Sequence, residues 1–139
     1  RRAKPGDLFL LVGDLGSGKT CLSQGVARGL GVKEYTKSPS FVIVNEYQGN
    51  LPLYHMDLYR MSNSLEASNL GLDEYLDANG VCVVEWADRA FDIFPFDHLC
   101  IQITSQGEEM RVLEFIPQGQ RYEILVQEIA TAIQEPRCF

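Results

Sequence analysis

Two short, continuous apolar runs along the chain predict buried strands. The first, Leu8–Val12, follows the polar turn segment 4–7, and the second, 81–86, follows an Asn-Gly pair. Continuous apolar runs of this length are typical of strands whose two faces are both covered, as in a parallel sheet. We therefore predict that both runs are buried strands.

Four further segments predict two antiparallel pairs. Segments 41–47 and 51–60 are rich in β-branched and aromatic residues and are joined by a Gln-Gly-Asn turn, which indicates a hairpin. Segments 98–103 and 111–117 lie on either side of a polar turn and predict a second pair. Parallel and antiparallel strands would then occur together in one mixed sheet.

Helical spacing of apolar residues predicts the helices that flank this sheet. In the segment 20–30 the apolar side chains recur every four residues, at Leu22, Val26 and Leu30. Gly25 and Gly29 lower the helix propensity of this segment but would let it lie close to the sheet. The segment 62–80 carries leucines among turn-forming residues and predicts two short helices. In 120–134 one helical face collects Tyr122, Leu125, Val126, Ile129 and Ile133.

The stretch GDLGSGKT, residues 13–20, connects the first strand to the first helix and fits the phosphate-loop pattern G-x-x-x-x-G-K-[ST]. Backbone N–H groups of such a loop surround a phosphate, and the helix N-terminus adds partial positive charge. Lys19 would reach the terminal phosphates, and the Thr20 hydroxyl would bind Mg²⁺. A glycine-rich turn with a surface lysine is the alternative, which the complete motif disfavours. The predicted nucleotide-binding residues of the loop are Gly13, Asp14, Leu15, Gly16, Ser17, Gly18, Lys19 and Thr20.

Two acidic residues follow or interrupt predicted strands and are candidates for the chemistry of this site. Glu85 ends the apolar run 81–86 and is predicted to associate with Mg²⁺. Asp57 is predicted to act with Lys19 in catalysis, near the γ-phosphate or the attacking water. A solvated acid at the sheet edge is the alternative for Glu85, and an ion pair with Arg60 is the alternative for Asp57.

Residues outside the loop could complete the nucleotide site. Ser38 and Ser40 offer hydroxyls in a segment where a switch loop could sense the γ-phosphate, although an ordinary Ser-Pro turn explains them equally well. Trp86, beside Glu85, could stack on a ligand or simply pack. No [NT]-K-x-D guanine-reading element occurs in the chain, so ATP is favoured over GTP.

Composition sets the outer limits of these interpretations. The 139 residues, 45% hydrophobic and 22% charged, predict one globular domain, 1–139. No apolar stretch approaches the length of a membrane span, and the four cysteines have no metal-ligand spacing, so a cytoplasmic protein with reduced thiols is expected. His55 and His98 are each predicted to be half-buried strand residues. The net charge of −7 disfavours a free-standing nucleic-acid binder, whose affinity comes largely from cations on phosphates.

Several segments together resemble one protein family. The strings GDLGSGKT, SPSFVIVNEY, YHMDLYR, LGLDEYL and VCVVEW, in this order and spacing, closely resemble the TsaE family, from about Leu8 to about Ile103. The resemblance implies a Mg²⁺-dependent ATPase with a P-loop NTPase-like domain. It implies a role in forming N6-threonylcarbamoyladenosine in tRNA, where ATP hydrolysis resets a TsaD–TsaB transferase pair. Contact with tRNA is then expected only through that pair, in agreement with the acidic charge.

The resemblance also assigns roles to single residues. Lys19 and Thr20 match the phosphate and Mg²⁺ ligands, and Glu85 matches the Mg²⁺-associated acid. Asp57 matches the acid of the family's H-x-D-L-Y-R element. The neighbouring tryptophan of the family is matched by Trp86, and its switch loop by Ser38 and Ser40.

This sequence departs from the family pattern in four ways. Residues 86–89 read WADR, where many members have a proline after the tryptophan. Ser17 stands where alanine is common, and Ser40 stands where threonine is usual. Only seven residues precede Leu8, so the helix-containing segment that members carry before the first strand is expected to be missing.

Two other functions compete with this prediction. A small-molecule P-loop kinase would need an arginine-rich lid, and the arginines here are scattered. A non-catalytic ATP-binding scaffold would share most of the same residues. We expect an ATP hydrolase that is weak without its partner proteins.

Overall fold

The apolar runs and hairpin segments assemble into one six-stranded sheet. The computed structural model describes residues 2–14, 16–34, 44–61, 63, 65, 69, 71–76 and 79–134. In chain order the strands are β1 (Leu8–Gly13), β2 (Val44–Gln48), β3 (Pro52–Asp57), β4 (Val81–Glu85), β5 (His98–Gln106) and β6 (Met110–Gln118). The helices in this part of the chain are α1 (Lys19–Gly29), α2 (Asp73–Leu76) and α3 (Gln120–Gln134), with short 3₁₀ helices at Ala87–Arg89 and Phe91–Ile93.

The strand order across the sheet is β2-β3-β4-β1-β5-β6. Strands β3, β4, β1 and β5 pair in parallel, whereas β2 and β6 pair antiparallel at the edges. The predicted mixed sheet flanked by helices is therefore confirmed. Glu85 pairs with Leu11 on one side and with Asp57 on the other. The carboxyl ends of three parallel strands thus meet in one row, which is where ligands bind in open α/β sheets.

The two central strands are buried on both faces, as their continuous apolar runs predict. Every residue of β4 and the first four residues of β1 are buried. One face packs against α1 and α3 through a core that includes Leu11, Val83 and Ile101. The opposite face packs against α2 and the 3₁₀ segments through a core that includes Leu10 and Val84. Successive residues along β1, and likewise along β4, therefore pack alternately into the two cores.

Helix α1 packs on the sheet largely through the small side chains of Ser23 and Ala27. Its fully buried positions are Lys19, Ser23 and Ala27, while Leu22 and Val26 are partly buried against the same core. The prediction that Gly25 and Gly29 let this helix lie close to the sheet is wrong. A Cβ atom added at Gly25 or Gly29 would meet nothing within 4 Å, so neither glycine faces the sheet.

The first predicted hairpin is present, but its second strand is shorter than predicted. β3 ends at Asp57 because the Asp57 carboxylate accepts a hydrogen bond from the Tyr59 N–H at 2.9 Å, which turns the chain. The Leu58 N–H donates to the Glu85 carbonyl at 3.0 Å and fixes the start of this turn. Residues 41–43 of the predicted first strand lie outside the described residues.

The second predicted hairpin is confirmed and extends further than the sequence indicated. β5 and β6 pair from His98 and Gln118 to Gln106 and Met110. Gly107 lies in the turn with φ +82, a conformation that glycine adopts without a steric penalty.

Helix α3 covers the sheet with most of its predicted face. Tyr122 and Leu125 are buried, and Val126 and Ile129 pack partly against the core. Ile133 was assigned to this face but is 67% exposed, because the helix has passed the edge of the core. Of the two short helices predicted in 62–80, α2 is observed, and the other falls largely outside the described residues. No helix of the described residues is long and apolar enough to cross a membrane.

Helix α3 also binds the start of β1. The Arg121 guanidinium donates to the Asp7 carboxylate at 2.8 and 3.2 Å, and the Tyr122 hydroxyl accepts the Leu8 N–H at 2.9 Å. The hydrogen bond to Asp7 raises the pKa of Arg121, while burial raises the pKa of Tyr122. The beginning of β1 is therefore fixed by residues that lie far away along the chain.

The cysteines provide a test of this packing. Cys82 and Cys100 are buried in strands, and burial raises the pKa of the Cys82 thiol to about 12, whereas Cys21 is exposed on α1. Because the thiolate is the reactive form, we expect iodoacetamide at pH 8 to modify Cys21 at least about 100-fold faster than Cys82. Peptide mapping by mass spectrometry measures both rates, with Cys138, which lies outside the described residues, followed as a separate peptide.

The urea-unfolded chain is the control, in which the two rates should converge. Equal rates in the folded protein would contradict the burial of Cys82.

Candidate functional site

The loop between β1 and α1 turns through two glycines with positive φ. Gly16 has φ +77, and Gly18, the N-cap of α1, has φ +111. The first hydrogen bond of α1 runs from the Leu22 N–H to the Gly18 carbonyl at 3.0 Å. The N–H groups of residues 19–21 precede that bond and have no partner one turn earlier in the helix. Such a helix N-terminus is an anion-binding site. Leu15, predicted to contact the nucleotide, lies outside the described residues.

Gly13 is required at the start of the loop by close packing. A Cβ atom at this position would lie 2.6 Å from the Ile103 carbonyl oxygen and 2.7 Å from the Ser17 hydroxyl. Neither group can withdraw easily, because Ile103 is held in β5 and Ser17 is buried. The first motif glycine therefore lets the loop lie directly on the neighbouring strand.

Lys19 is folded back onto the loop that carries it. Only 5% of its surface is exposed, and its ammonium donates to the Gly13 carbonyl at 2.6 Å and the Asp14 carbonyl at 2.8 Å. The same ammonium lies 4.0 Å from the centroid of the Trp86 ring. Burial lowers the pKa of Lys19, and nearby carboxylates, Glu85 first among them, oppose that shift. Among the described residues, the groups in direct contact with the ammonium are neutral, and a charged phosphate could replace the carbonyls.

Glu85 lies at the centre of the site and is 2% exposed. Its Oε1 accepts a hydrogen bond from the Thr20 hydroxyl at 3.0 Å. Its Oε2 accepts one from the Ser23 hydroxyl at 3.2 Å and contacts His55 Nε2. The alternative of a solvated acid at the sheet edge is therefore wrong. The two residues predicted to associate with Mg²⁺, Thr20 and Glu85, are in direct contact.

Asp57 lies next to Glu85 in the adjacent strand. It is half-buried, and one carboxylate oxygen is held by the Tyr59 N–H. Its charge also acts on the Lys19 ammonium. The structure thus brings Asp57, Glu85 and Lys19 to one end of the sheet, while the alternative pairing of Asp57 with Arg60 stays a prediction.

Trp86 does not continue the strand as the run 81–86 predicted. Its backbone has a φ of 57, and among the described residues other than glycine no second residue has a positive φ. Strand β4 therefore ends at Glu85. The turn directs the indole ring over Lys19, with the Tyr59 ring 4.9 Å away and the Arg89 guanidinium 5.5 Å away. A strained backbone at this point is typical of functional sites. Ser38 and Ser40 lie outside the described residues.

Three side chains join the site that the sequence did not single out. His55 was predicted to be half-buried, but it is 2% exposed and contacts Glu85. Its position two residues before Asp57, on the same side of β3, was the available signal. Ser23 follows Thr20 by three residues on the same helix face. Arg111 of β6 donates from Nε to the Ser17 carbonyl at 3.0 Å, and no local pattern indicates this contact.

The donor set fits a magnesium ion that is shared with phosphates. Thr20 and Glu85 supply a hydroxyl and a carboxylate oxygen, the hard ligands that Mg²⁺ prefers. Mg²⁺ is usually bound by one or two carboxylates together with substrate phosphates and water. Within the part of the chain that the structure describes, no group of three or more His, Cys, Asp and Glu side chains is placed to hold a metal.

Comparisons with known proteins identify one family that this chain resembles. The family model described as "Threonylcarbamoyl adenosine biosynthesis protein TsaE" matches residues 1–113. The tRNA threonylcarbamoyladenosine biosynthesis protein TsaE of Bacillus subtilis is 48% identical over 129 residues, which cover 92% of this chain and 80% of that protein. The protein of the same name from Streptomyces coelicolor is 36% identical over 127 residues, covering 86% and 85% of the two chains.

A solved structure shares the fold. The crystal structure of Bacillus subtilis YdiB superposes with a TM-score of 0.82 and 44% sequence identity. The match covers 96% of this chain and 82% of that one. The predicted P-loop NTPase-like α/β fold is therefore supported by a close structural relative.

Two glycine substitutions test the packing of the loop. We expect Gly13→Ala to lower the free energy of unfolding by about 1–3 kcal/mol, because its Cβ would overlap the Ile103 carbonyl. Gly25→Ala in α1 is the matched control, where a Cβ meets nothing within 4 Å and higher helix propensity should raise stability by roughly 0.5–1 kcal/mol. Urea unfolding followed by circular dichroism measures both. An unchanged midpoint for Gly13→Ala would contradict the close approach.

Proposed function

This chain belongs to the TsaE family of tRNA threonylcarbamoyladenosine biosynthesis, and from that premise we propose that it is a Mg²⁺-dependent ATPase of this pathway. The contact between Thr20 and Glu85 at the end of the phosphate loop carries the proposal. It brings a hydroxyl and a carboxylate together beside a helix N-terminus and a buried lysine. These are the groups needed to hold a nucleoside triphosphate together with its metal ion.

Lys19 would bind the terminal phosphates of ATP. Its ammonium now donates to the carbonyls of Gly13 and Asp14. Phosphate oxygens are stronger acceptors because they are charged, so the ammonium gains by exchanging carbonyls for them. The Trp86 ring lies against the same cation and keeps water from that side. Lys19 would then offset the charge that develops on the γ-phosphate in the transition state.

Thr20 and Glu85 would hold Mg²⁺, which when bound neutralises charge on the phosphates. Glu85 reaches this position from β4 and Thr20 from the first turn of α1. Both come from regular elements and not from the loop, so their separation is set by the packing of helix on sheet. That packing is built from small residues, Ser23 and Ala27, which keep α1 close to the strands.

Asp57 would orient the water that attacks the γ-phosphate. It lies beside Glu85 at the end of β3, and the Tyr59 N–H holds its carboxylate. A carboxylate at that position can accept a hydrogen bond from the water as it attacks, with ADP and phosphate as products. Ser38 and Ser40 would sense the γ-phosphate as part of a switch loop, by the resemblance noted above.

We further propose that the free energy of hydrolysis resets a TsaD–TsaB transferase pair. The net charge of −7 favours contact with a protein over contact with the tRNA phosphates. A group supplied by that pair would complete the site in trans, so the isolated chain should hydrolyse ATP slowly. A tRNA gel shift by this chain alone, with sub-micromolar affinity at physiological salt, would overturn the indirect contact.

The primary test is phosphate release from Mg·ATP by this chain, alone and with a TsaD–TsaB pair and tRNA. We expect slow release alone and faster release with the pair. Lys19→Ala should reduce the stimulated rate by about 10²–10³-fold, the usual effect of removing one group that stabilises transition-state charge. Lys33→Ala, at an exposed position beyond α1, is the matched control and should leave the rate unchanged.

Three outcomes would contradict the proposal. Fast release that the pair does not change would indicate an independent ATPase, and phosphate transfer to a small acceptor would indicate a kinase. Nucleotide binding without any phosphate release in a single turnover, with the pair present, would indicate a scaffold.

A further inference from the structure

The Glu85 carboxylate is enclosed by side chains from two other elements. Ser23 comes from α1 and His55 from β3, and both are 2% exposed, as is Glu85 itself. Both contact the same carboxylate oxygen, Oε2. Within the part of the chain that the structure describes, Oε1 accepts its hydrogen bond from the Thr20 hydroxyl. The two oxygens of this carboxylate are therefore engaged differently.

We propose that His55, assisted by Ser23, is a positioning residue that fixes the Glu85 carboxylate so that its Oε1 is directed at Thr20 and the magnesium position. This inference rests on the proposed function, because it assigns Glu85 a metal to hold. It concerns residues that touch neither nucleotide nor metal. They act through Glu85.

The chemistry of the donors makes His55 the principal partner. A carboxylate only accepts hydrogen bonds, so the imidazole donates from Nε2. The Ser23 hydroxyl has one hydrogen, and the Lys19 carbonyl lies 3.1 Å from it as a second acceptor. The single hydroxyl hydrogen of Ser23 is thus shared between two acceptors, whereas among the described residues the Nε2–H of His55 has one acceptor, Glu85.

The fold holds these donors independently of the loop. In β3, His55 pairs with Val83 of β4, two residues before the pairing of Asp57 with Glu85 and therefore on the same face of the sheet. The imidazole approaches Glu85 from the neighbouring strand and on the side that faces α1. Without His55, Oε2 of this buried carboxylate keeps, within the described part of the chain, only the hydrogen bond that Ser23 shares with another acceptor, so the carboxylate is held less firmly in its orientation. Side chains that orient metal ligands in this way typically change metal affinity 10–100-fold when removed.

The test measures Mg²⁺ dependence without relying on catalysis. Calorimetry gives the affinity for AMPPNP, a non-hydrolysable ATP analogue, over a Mg²⁺ titration and in excess EDTA. We expect His55→Phe, which keeps ring volume but removes the donor, to raise the Mg²⁺ concentration for half-maximal tightening about 10–100-fold. The affinity in EDTA should change by less than about twofold, because the phosphate contacts of Lys19 are untouched.

Two variants serve as controls for the donor itself. His55→Gln places an amide N–H near the position of Nε2 and should restore the Mg²⁺ response to within about threefold of wild type. His98→Phe makes the same substitution at a half-buried strand position whose ring contacts the Pro95 carbonyl, away from Glu85. It should leave the response unchanged.

Each outcome decides a separate point. A folded His55→Phe protein with the wild-type Mg²⁺ response would overturn the positioning role and leave the proposed function intact. If that variant does not fold, His55→Asn and His55→Gln are compared instead, because Asn is too short to reach Glu85. An equal Mg²⁺ response in those two would overturn the proposal. A wild-type chain that binds AMPPNP with no response to Mg²⁺ would instead overturn the magnesium assignment of the proposed function.

Discussion

The charge of Glu85 has to be stabilised without water, and this requirement organises the centre of the molecule. A carboxylate with 2% exposure is costly unless other groups donate hydrogen bonds to it. Those donors come from α1 and β3, so the rotation of the helix and the register of the strand are both tied to one side chain. Removing one partner of such a buried group is strongly destabilising, which gives the arrangement its rigidity. The same rigidity is what a metal site needs.

Local patterns identified the elements whose environment is uniform along their length. The run 81–86 is apolar throughout because both faces of β4 are buried, and Glu85 stood out as the acid at its end. The phosphate loop was evident because its glycines are set by local geometry, as the positive φ of Gly16 and Gly18 illustrates. The sheet order was not evident, since pairing joins segments that are distant along the chain.

The parts that escaped sequence reasoning depend on contacts between such distant segments. The position of His55 two residues before Asp57 placed it on the same side of β3, but it did not identify Glu85, thirty residues later, as the partner of the imidazole. Arg111 reaches the loop only because the β5–β6 hairpin lies against it. The predicted apolar stripe of α1, Leu22, Val26 and Leu30, did not include Ser23 and Ala27, which are buried against the sheet. Strand β3 was extended too far because the turn at Asp57 is formed by a side-chain hydrogen bond, which apolar patterning does not register.

The ion pair between Asp7 and Arg121 has a consequence for biosynthesis. These residues are separated by 114 positions, and the Tyr122 hydroxyl binds the Leu8 backbone over the same separation. Strand β1 is central to the sheet, with β4 and β5 on either side. During translation it is made before both of these neighbours and before its anchoring helix. The nascent chain must therefore carry an apolar segment without its final partners until residue 121 has been added, the situation in which chaperones protect exposed strands from aggregation.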